Sequence, residues 1–258
     1  MTGEITRRLV QRQFSQHAAA YVTSPTHAAG ADLERLVALV DPQPGWCVLD
    51  VATGGGHTAR IFAPHVAHVI AADLTLAMLQ AARKHHRQLG LANIAYQQLD
   101  AMALPFAAEV FDLVTCRIAP HHFPSIQQFV HEAARVTRPG GLVAMIDLIM
   151  PTNRKAARYV NAFERLRDPS HAWAFSLPRW EGMFKIAGLE ILHSEAYVER
   201  HRLAEWAARM GCAPDTVTRL RAMLIQAPEK AAEWLQPELF PGGGETFLIH
   251  YGLLLGRK

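Results

Sequence analysis

The sequence predicts an α/β protein built on a doubly wound parallel sheet, and three observations carry that prediction. Short apolar runs alternate with helix-period segments five times between residues 1 and 150, the pattern of βαβ units whose strands are covered on both faces. The first run, Val48-Leu49-Asp50-Val51-Ala52, leads through Thr53 into three glycines, Gly54, Gly55 and Gly56, with helix-forming residues directly behind them. Acids close the next two runs, Asp73 and Asp100, at the strand edge where open α/β sheets take their ligands.

Residues 4–20 read as an amphipathic helix, with Phe14, Ala18 and Tyr21 at i, i+4 and i+7 and Arg7, Arg8 and Arg12 available to the water side. The segment Val22-Thr-Ser-Pro-Thr-His27 breaks it. A second helix spans Asp32 to Val40, carried by Leu33, Leu36, Val37 and Val40, and Asp41-Pro-Gln-Pro-Gly45 ends it. Past the glycines, His68 to Asp73 is a second strand and Thr75 to Leu89 a helix. In that helix Leu76, Leu79, Ala82 and His86 share a face, and His85 and His86 are expected in water. Asn93 to Leu99 alternates as a third strand, and Val110 to Cys116 is a fourth that runs into Arg117-Ile-Ala-Pro-His-His-Phe-Pro124.

Ile126, Phe129, Val130, Ala133 and Ala134 form the apolar face of the next helix, which Arg138-Pro-Gly-Gly141 stops; Leu142 to Ile149 is a fifth strand. Helices follow over Arg154 to Leu166 and Leu177 to Ile186, the latter with Ser176 at its N-cap. Leu189 to Val198 reads as a sixth strand and residues 202–236 as two or three helices. Pro241-Gly-Gly-Gly244 is a turn into a last strand, Thr246 to Leu255, added antiparallel. The chain is expected to form one domain over 1–258, with an N-terminal helical lid (1–40), a cofactor-binding core (41–150) and substrate-side helices and final strands (151–258).

Composition narrows the function. Hydrophobic residues make up 50% and charged residues 19% of the 258, values of an ordinary soluble globular chain. A net charge of +3, with basic residues scattered, gives no nucleic-acid surface. No apolar run reaches membrane-spanning length and no secretory h-region opens the chain, so a cytoplasmic protein is expected. Cys47, Cys116 and Cys212 are isolated, without disulfide or Cys-pair metal spacing, and the histidines form no H-x-x-x-H or carboxylate cluster; no metal is expected.

A strand, a glycine turn and a helix start together let the backbone approach a nucleotide-like ligand. The dinucleotide pattern G-x-G-x-x-G is approximated, with Ala59 at the third position. Asp50 ahead of the glycines would repel a diphosphate and favour a positively charged, sugar-linked ligand. Asp73 lies 17 positions beyond Gly56, near the spacing of an acid that accepts both hydroxyls of a ribose. Asp is also a good helix cap, and the alternative for Asp73 is the N-cap of the helix over Thr75 to Leu89.

At this point the chain resembles the class I S-adenosylmethionine-dependent methyltransferases, and within them the ubiquinone and menaquinone biosynthesis C-methyltransferase-like branch. The resemblance covers nearly the whole chain. It rests on Val48-Leu-Asp-Val-Ala-Thr-Gly-Gly-Gly56, Asp73, Asp100-Ala101, Phe111-Asp112-Leu113-Val114 and Arg138-Pro-Gly-Gly141, in that order. It implies a Rossmann-like seven-stranded sheet with an antiparallel last strand and S-adenosyl-L-methionine as cofactor. It further implies that Gly54, Gly55 and Gly56 pass under the methionine and ribose, that Asp50 helps hold the amino group, that Asp73 takes the ribose, and that Ala52 and Leu74 also bind the cofactor. Asp100 is implied to reach the adenine amino group, with Ala101 and Met102 lining that pocket. Arg117 is placed at the methionyl end or on a substrate acid, and Tyr21 and His27 in a lid over the cofactor.

Methyl transfer to an OH or activated CH acceptor needs proton removal, which suits histidine. His121 and His122 follow the fourth strand, and His122 is the preferred base or orienting group; both can instead only shape the loop. Trp173, Phe175, Trp206, Met210 and Trp234 suggest an apolar small-molecule acceptor if they line the pocket, and otherwise belong to the core. An NAD(P)-dependent oxidoreductase, a non-catalytic binding protein of this fold and a different reaction on the same cofactor stay open here.

Overall fold

The computed structural model describes residues 3–22 (side chains through residue 15), 30–240 and 244–258. Helix α1 (Gly3–Val22) and α2 (Ala31–Val40) precede β1 (Cys47–Val51), α3 (His57–Phe62), β2 (His68–Asp73), α4 (Leu76–Gln88), β3 (Ile94–Gln98) and β4 (Phe111–Arg117). There follow α5 (Ile126–Val136), β5 (Thr137–Leu148), α6 (Arg154–Arg167), α7 (Leu177–Ile186) and β6 (Glu190–Arg202). The chain closes with α8 (Leu203–Ala208), α9 (Pro214–Ile225), α10 (Glu229–Leu235), β7 (Glu238–Leu239) and β8 (Glu245–Arg257).

The strand order is β3-β2-β1-β4-β5-β8-β6. Strands β1 to β5 pair in parallel, and β8 runs antiparallel between β5 and β6. The seven-stranded arrangement with an antiparallel last strand is therefore present, and the two-residue β7 adds an eighth strand as a short hairpin on β8. Order reverses between β1 and β4, which opens a crevice at their carboxyl ends.

The strands are apolar because both sheet faces are covered. Val48 and Leu113 pack toward α2 and α3 with Leu36, Val40 and Phe62. Their neighbours Leu49 and Val114 point the other way, toward Phe129 of α5 and Trp180 and Phe184 of α7. A third cluster joins α6, α8, α9 and α10 to Phe247, Ile249 and Tyr251 on one face of β8. That helical layer stands beyond the carboxyl edge of the sheet and walls the crevice.

Four local readings change. Strand β5 begins at Thr137, so Arg138-Pro-Gly-Gly141 is not a helix stop but the first part of the strand, which crosses an irregularity opposite Phe111 and Leu113. Strand β6 is likewise longer than its apolar pattern, because β8 supplies ladder partners as far as Arg202. In α4 the buried face is Met78, Leu79, Ala82 and His86, while Leu76 is exposed. His86 is wholly buried rather than solvated.

Candidate active site

The first βα turn is braced from beneath. Asp50 shares a strand face with Val48, so its carboxylate points toward α3. Oδ2 accepts from Thr53 Oγ1 at 2.6 Å and Ala59 N at 3.1 Å, and Oδ1 from Thr115 Oγ1 of β4 at 2.8 Å. Burial raises its pKa to about 6, against the pull of those three donors and of Arg117. Asp50 does not border the cavity described below; its oxygens accept from the loop and strand they tie together.

Above Asp50 the backbone turns through left-handed residues. Ala52 has φ 55° and Ile118, at the end of the adjacent β4, has φ 51°. Two non-glycine residues in this sparsely populated region border one cavity, where strain of this kind tends to gather at working sites. Gly54 has φ 55°, and a Cβ there would meet no protein atom within 4 Å. Gly56 has φ 82° and starts α3 with its bare Cα against α4, where a Cβ would stand 2.4 Å from His86 Cε1. Gly56 is thus absent from the cavity wall, and its glycine identity serves the packing of His86. His86 Nε2 donates to Gly56 O at 3.0 Å, and Nδ1 accepts from Tyr96 Oη at 2.7 Å. Burial holds this histidine down at about 4, so it stays neutral.

A cavity of about 280 Å³ opens from the glycine loop across the carboxyl edge of β1, β2, β3 and β4. Asp73 borders it; Oδ1 accepts from Thr75 N at 2.8 Å and Oδ2 from Gly54 N at 2.9 Å, so the acid joins the start of α4 to the loop. Burial raises its pKa in spite of these donors. Leu74, Ala101, Ala52 and Gly55 also line the cavity. Asp100 lines it but is engaged: Oδ2 accepts from Arg7 of α1 at 2.6 Å and Oδ1 from Met102 N at 2.9 Å. The side chain of Met102 turns into the core instead of the cavity, because its backbone is held in the turn under Asp100.

Arg117 is not an open cation awaiting a ligand acid. Its Nε and Nη2 grip Asp32 of α2 at 2.6 and 3.0 Å, and both side chains are buried. Helix α1 crosses the same edge: Gln11 Nε2 donates to Leu74 O, and the ring of Phe14 meets His122 edge-on at 5.1 Å. Tyr21 belongs to α1 by its backbone; its side chain, and His27 entirely, lie outside the described residues.

The turn after β4 brings His121 and His122 into the cavity wall with ring centroids 4.1 Å apart. They are not equivalent. His121 Nδ1 donates to Asp147 Oδ1 of β5 at 2.5 Å, which leaves Nε2 as the nitrogen with a lone pair. Burial pulls this ring down, but Asp147, with Asp168 and Glu164 behind it, outweighs burial and sets its pKa above the ordinary 6.5. His122 Nδ1 faces Ser170 O and Ser170 Oγ, each at 3.1 Å. Ser170 Oγ gives its own proton to Asp168 Oδ1, so Nδ1 of His122 is the donor. Burial and the neighbouring His121 push His122 down. The loop behind them is fixed: Ala172 N and Trp173 N donate to His121 O, and His171 Nε2 donates to Asn161 Oδ1.

The far wall carries residues that motif reading passed over, Glu164, Asp168, Tyr197, Glu199 and Tyr251, and Asp147 stands behind that wall, bonded to His121. Asp147 and Glu164 had a legible signal. Asp147 interrupts an apolar strand, as Asp50 does, and Glu164 continues the buried stripe of Ala156 and Val160 at four-residue spacing. Of the five aromatic and methionine candidates, Trp206 and Met210 border the cavity and Trp173, Phe175 and Trp234 do not. Trp206 also stacks on Phe163 and meets Phe247 edge-on, so it is core on one side and wall on the other.

Comparison with known proteins agrees with this geometry. A family profile for a methyltransferase domain matches residues 49–145. An uncharacterized methyltransferase of Bacillus subtilis, YcgJ, is 32% identical over 220 residues, covering 85% of this chain and 87% of its own. The chain belongs to the class I S-adenosylmethionine-dependent methyltransferases. The YcgJ crystal structure superposes with a TM-score of 0.84 at 31% identity, over 88% of this chain and 97% of that one. BH2331 of Bacillus halodurans gives 0.85 at 34%, over 89% and 99%. A malonyl-[acyl-carrier protein] O-methyltransferase of Salmonella typhimurium is 29% identical over 241 residues, 89% of this chain and 91% of the relative. The oxidoreductase reading that the glycine loop left open is thereby closed.

The methyltransferase carries side chains that fit S-adenosylmethionine. The space over Gly54 is a cradle that a Cβ would enter, and buried Asp73 beside it keeps further lone pairs for hydroxyl donors. The same carboxylate-rich edge suits a cationic sulfonium.

Proposed function

We propose that the methyltransferase modifies a small-molecule acceptor at an O–H or activated C–H position, with His121 as the base and Asp147 as the group that orients it. The observation that carries this reading is His121 in the wall of the same cavity that begins at the glycine loop, held from behind by buried Asp147. In this reading the chain works as one domain: Val51 to Gly55, Asp73 and Ala101 border the cofactor, and the helices after β5 wall the acceptor. The cofactor supplies an electrophilic methyl on a sulfonium sulfur, to which the C–S electron pair returns on transfer. His121 Nε2 takes the acceptor proton as the new bond to carbon forms, and Asp147 stabilises the imidazolium that results. His122 takes the lesser part. Its pKa is held low, and its Nδ1 proton is committed to Ser170, so it positions the loop and not the proton.

The cavity of about 280 Å³, bordered by α1 and α6, supports a small molecule over a macromolecular substrate. The test is a screen of small acceptors by S-adenosylhomocysteine release, followed by His121→Ala and His122→Ala on the best one. His121→Ala lowers kcat by about 10²–10⁴ with S-adenosylhomocysteine affinity kept, and His122→Ala lowers it less. Equal turnover of His121→Ala and wild type would end the base assignment.

A further inference from the structure

Charge in the acceptor half of the cavity is unevenly neutralised. Six carboxylates and four arginines border the cavity as a whole. Each arginine has a partner. Arg7 holds Asp100 and Arg117 holds Asp32. Arg167 donates to Trp206 O and lies 4.4 Å over the Trp206 ring, and Arg209 is bonded to His201 Nδ1. Most carboxylates are satisfied as well: Asp73 and Asp168 by backbone and hydroxyl donors, while Glu199, with His201 Nε2 3.5 Å away, is 41% exposed to water.

Glu164 is the exception. It is 4% exposed and borders the cavity, yet among the described residues its carboxylate makes no hydrogen bond or ion pair. Its position follows from helix geometry. Ala156 and Val160 precede it on the buried stripe of α6, so the side chain must face inward, toward His121, Asp147, Asp168 and Arg167 and toward Tyr251 of β8. Burial raises its pKa to about 7. A carboxylate this deeply buried, facing a cavity and without a hydrogen bond, is costly to the fold and marks a place that a ligand can complete.

We infer that the acceptor carries a positively charged amino group and that Glu164 is its counter-ion, a specificity residue at the far end of the cavity from the glycine loop. The inference rests on the proposed methyl-transfer site and adds the substrate class. An ammonium supplies up to three donors, which suit both Glu164 oxygens and the Tyr251 hydroxyl nearby. The apolar neighbours Trp206, Met210 and Ile249 suit a short hydrocarbon body behind that head group. An anionic acceptor is disfavoured because the arginines of the wall are already engaged.

Two measurements test it. Titration calorimetry with S-adenosylhomocysteine compares wild type and Glu164→Gln, and equal affinity is expected because Glu164 does not take part in holding the cofactor. Thermal unfolding at pH 8 with saturating S-adenosylhomocysteine then compares n-butylammonium, n-butanol and butanoate, and the matching six-carbon set. The ammonium members raise Tm by about 2 °C or more above their alcohols and carboxylates, and Glu164→Gln abolishes the difference. A response that is equal across the three classes, none included, overturns the inference, as does a preference that survives Glu164→Gln. Failure of the wild type to bind S-adenosylhomocysteine strikes the methyl-transfer reading instead, and the amine comparison on the free protein still decides the role of Glu164.

Discussion

Replacing Gly56 by alanine separates two reasons for a glycine in the first βα turn. At φ 82° an alanine bears the left-handed penalty, about 1–2 kcal/mol. Its Cβ would also stand 2.4 and 2.5 Å from His86 Cε1 and Nε2. The ring cannot yield cheaply, since it is wholly buried and tied at both nitrogens, to Gly56 O at 3.0 Å and Tyr96 Oη at 2.7 Å. Losing both bonds and leaving a buried carbonyl without its donor costs about 2–3 kcal/mol more, so Gly56→Ala destabilises by about 3–5 kcal/mol. Urea denaturation measures this directly. A double-mutant cycle isolates the collision: with His86→Ala in place, Gly56→Ala costs only the backbone penalty and the 3.0 Å contact with Ala82 Cβ. The double variant is then more stable than additivity requires by about 1.5 kcal/mol or more. Additivity within about 0.5 kcal/mol would refute the steric argument and leave backbone strain alone to explain the glycine.

Four further outcomes follow from the same geometry. Gly54→Ala, whose Cβ enters open space, costs only about 1–2 kcal/mol of stability but weakens S-adenosylhomocysteine about tenfold or more by calorimetry; unchanged affinity would remove Gly54 from the cradle. Asp147→Asn removes the charge that raises His121, so the acid limb of kcat/KM, set by a base titrating above 6.5, moves to lower pH and the plateau falls; a limb that stays put counts against the pair. Asp32→Ala removes the carboxylate that grips buried Arg117 and costs about 3–5 kcal/mol, most of it recovered by Asp32→Ala with Arg117→Met; a single-variant loss below about 1 kcal/mol is the contrary result. Glu164 has a folded pKa raised to about 7, so it destabilises the fold progressively as pH rises from 4.5 through 7. Glu164→Gln therefore unfolds later than wild type at pH 8, by about 1–3 kcal/mol, and not at pH 4, and a gain of equal size at both pH values would show a packing effect instead.

The parallel sheet was legible in local pattern, and the cofactor class in the motifs that carry the family resemblance, because each depends on neighbours in sequence. Buried parallel strands need apolar residues at nearly every position, the turn after β1 needs glycine at a left-handed angle, and the acids Asp73 and Asp100 mark the open edge by position alone. Long-range partners decided the rest. Arg117 reads as a ligand for an acid until Asp32, from a helix 85 positions earlier, closes on it. Asp100 is engaged by Arg7, and His86 is a buried strut because β3 sets Tyr96 beside it and the loop turns Gly56 toward it. His121 and His122 are alike in sequence, and only the arrival of Asp147 on one and Ser170 on the other separates them. Sequence sets which groups a segment can offer; the pairing of charges and hydrogen bonds across the packed chain sets which of them remain for a ligand. Glu164, left without a partner by that pairing, is the clearest case.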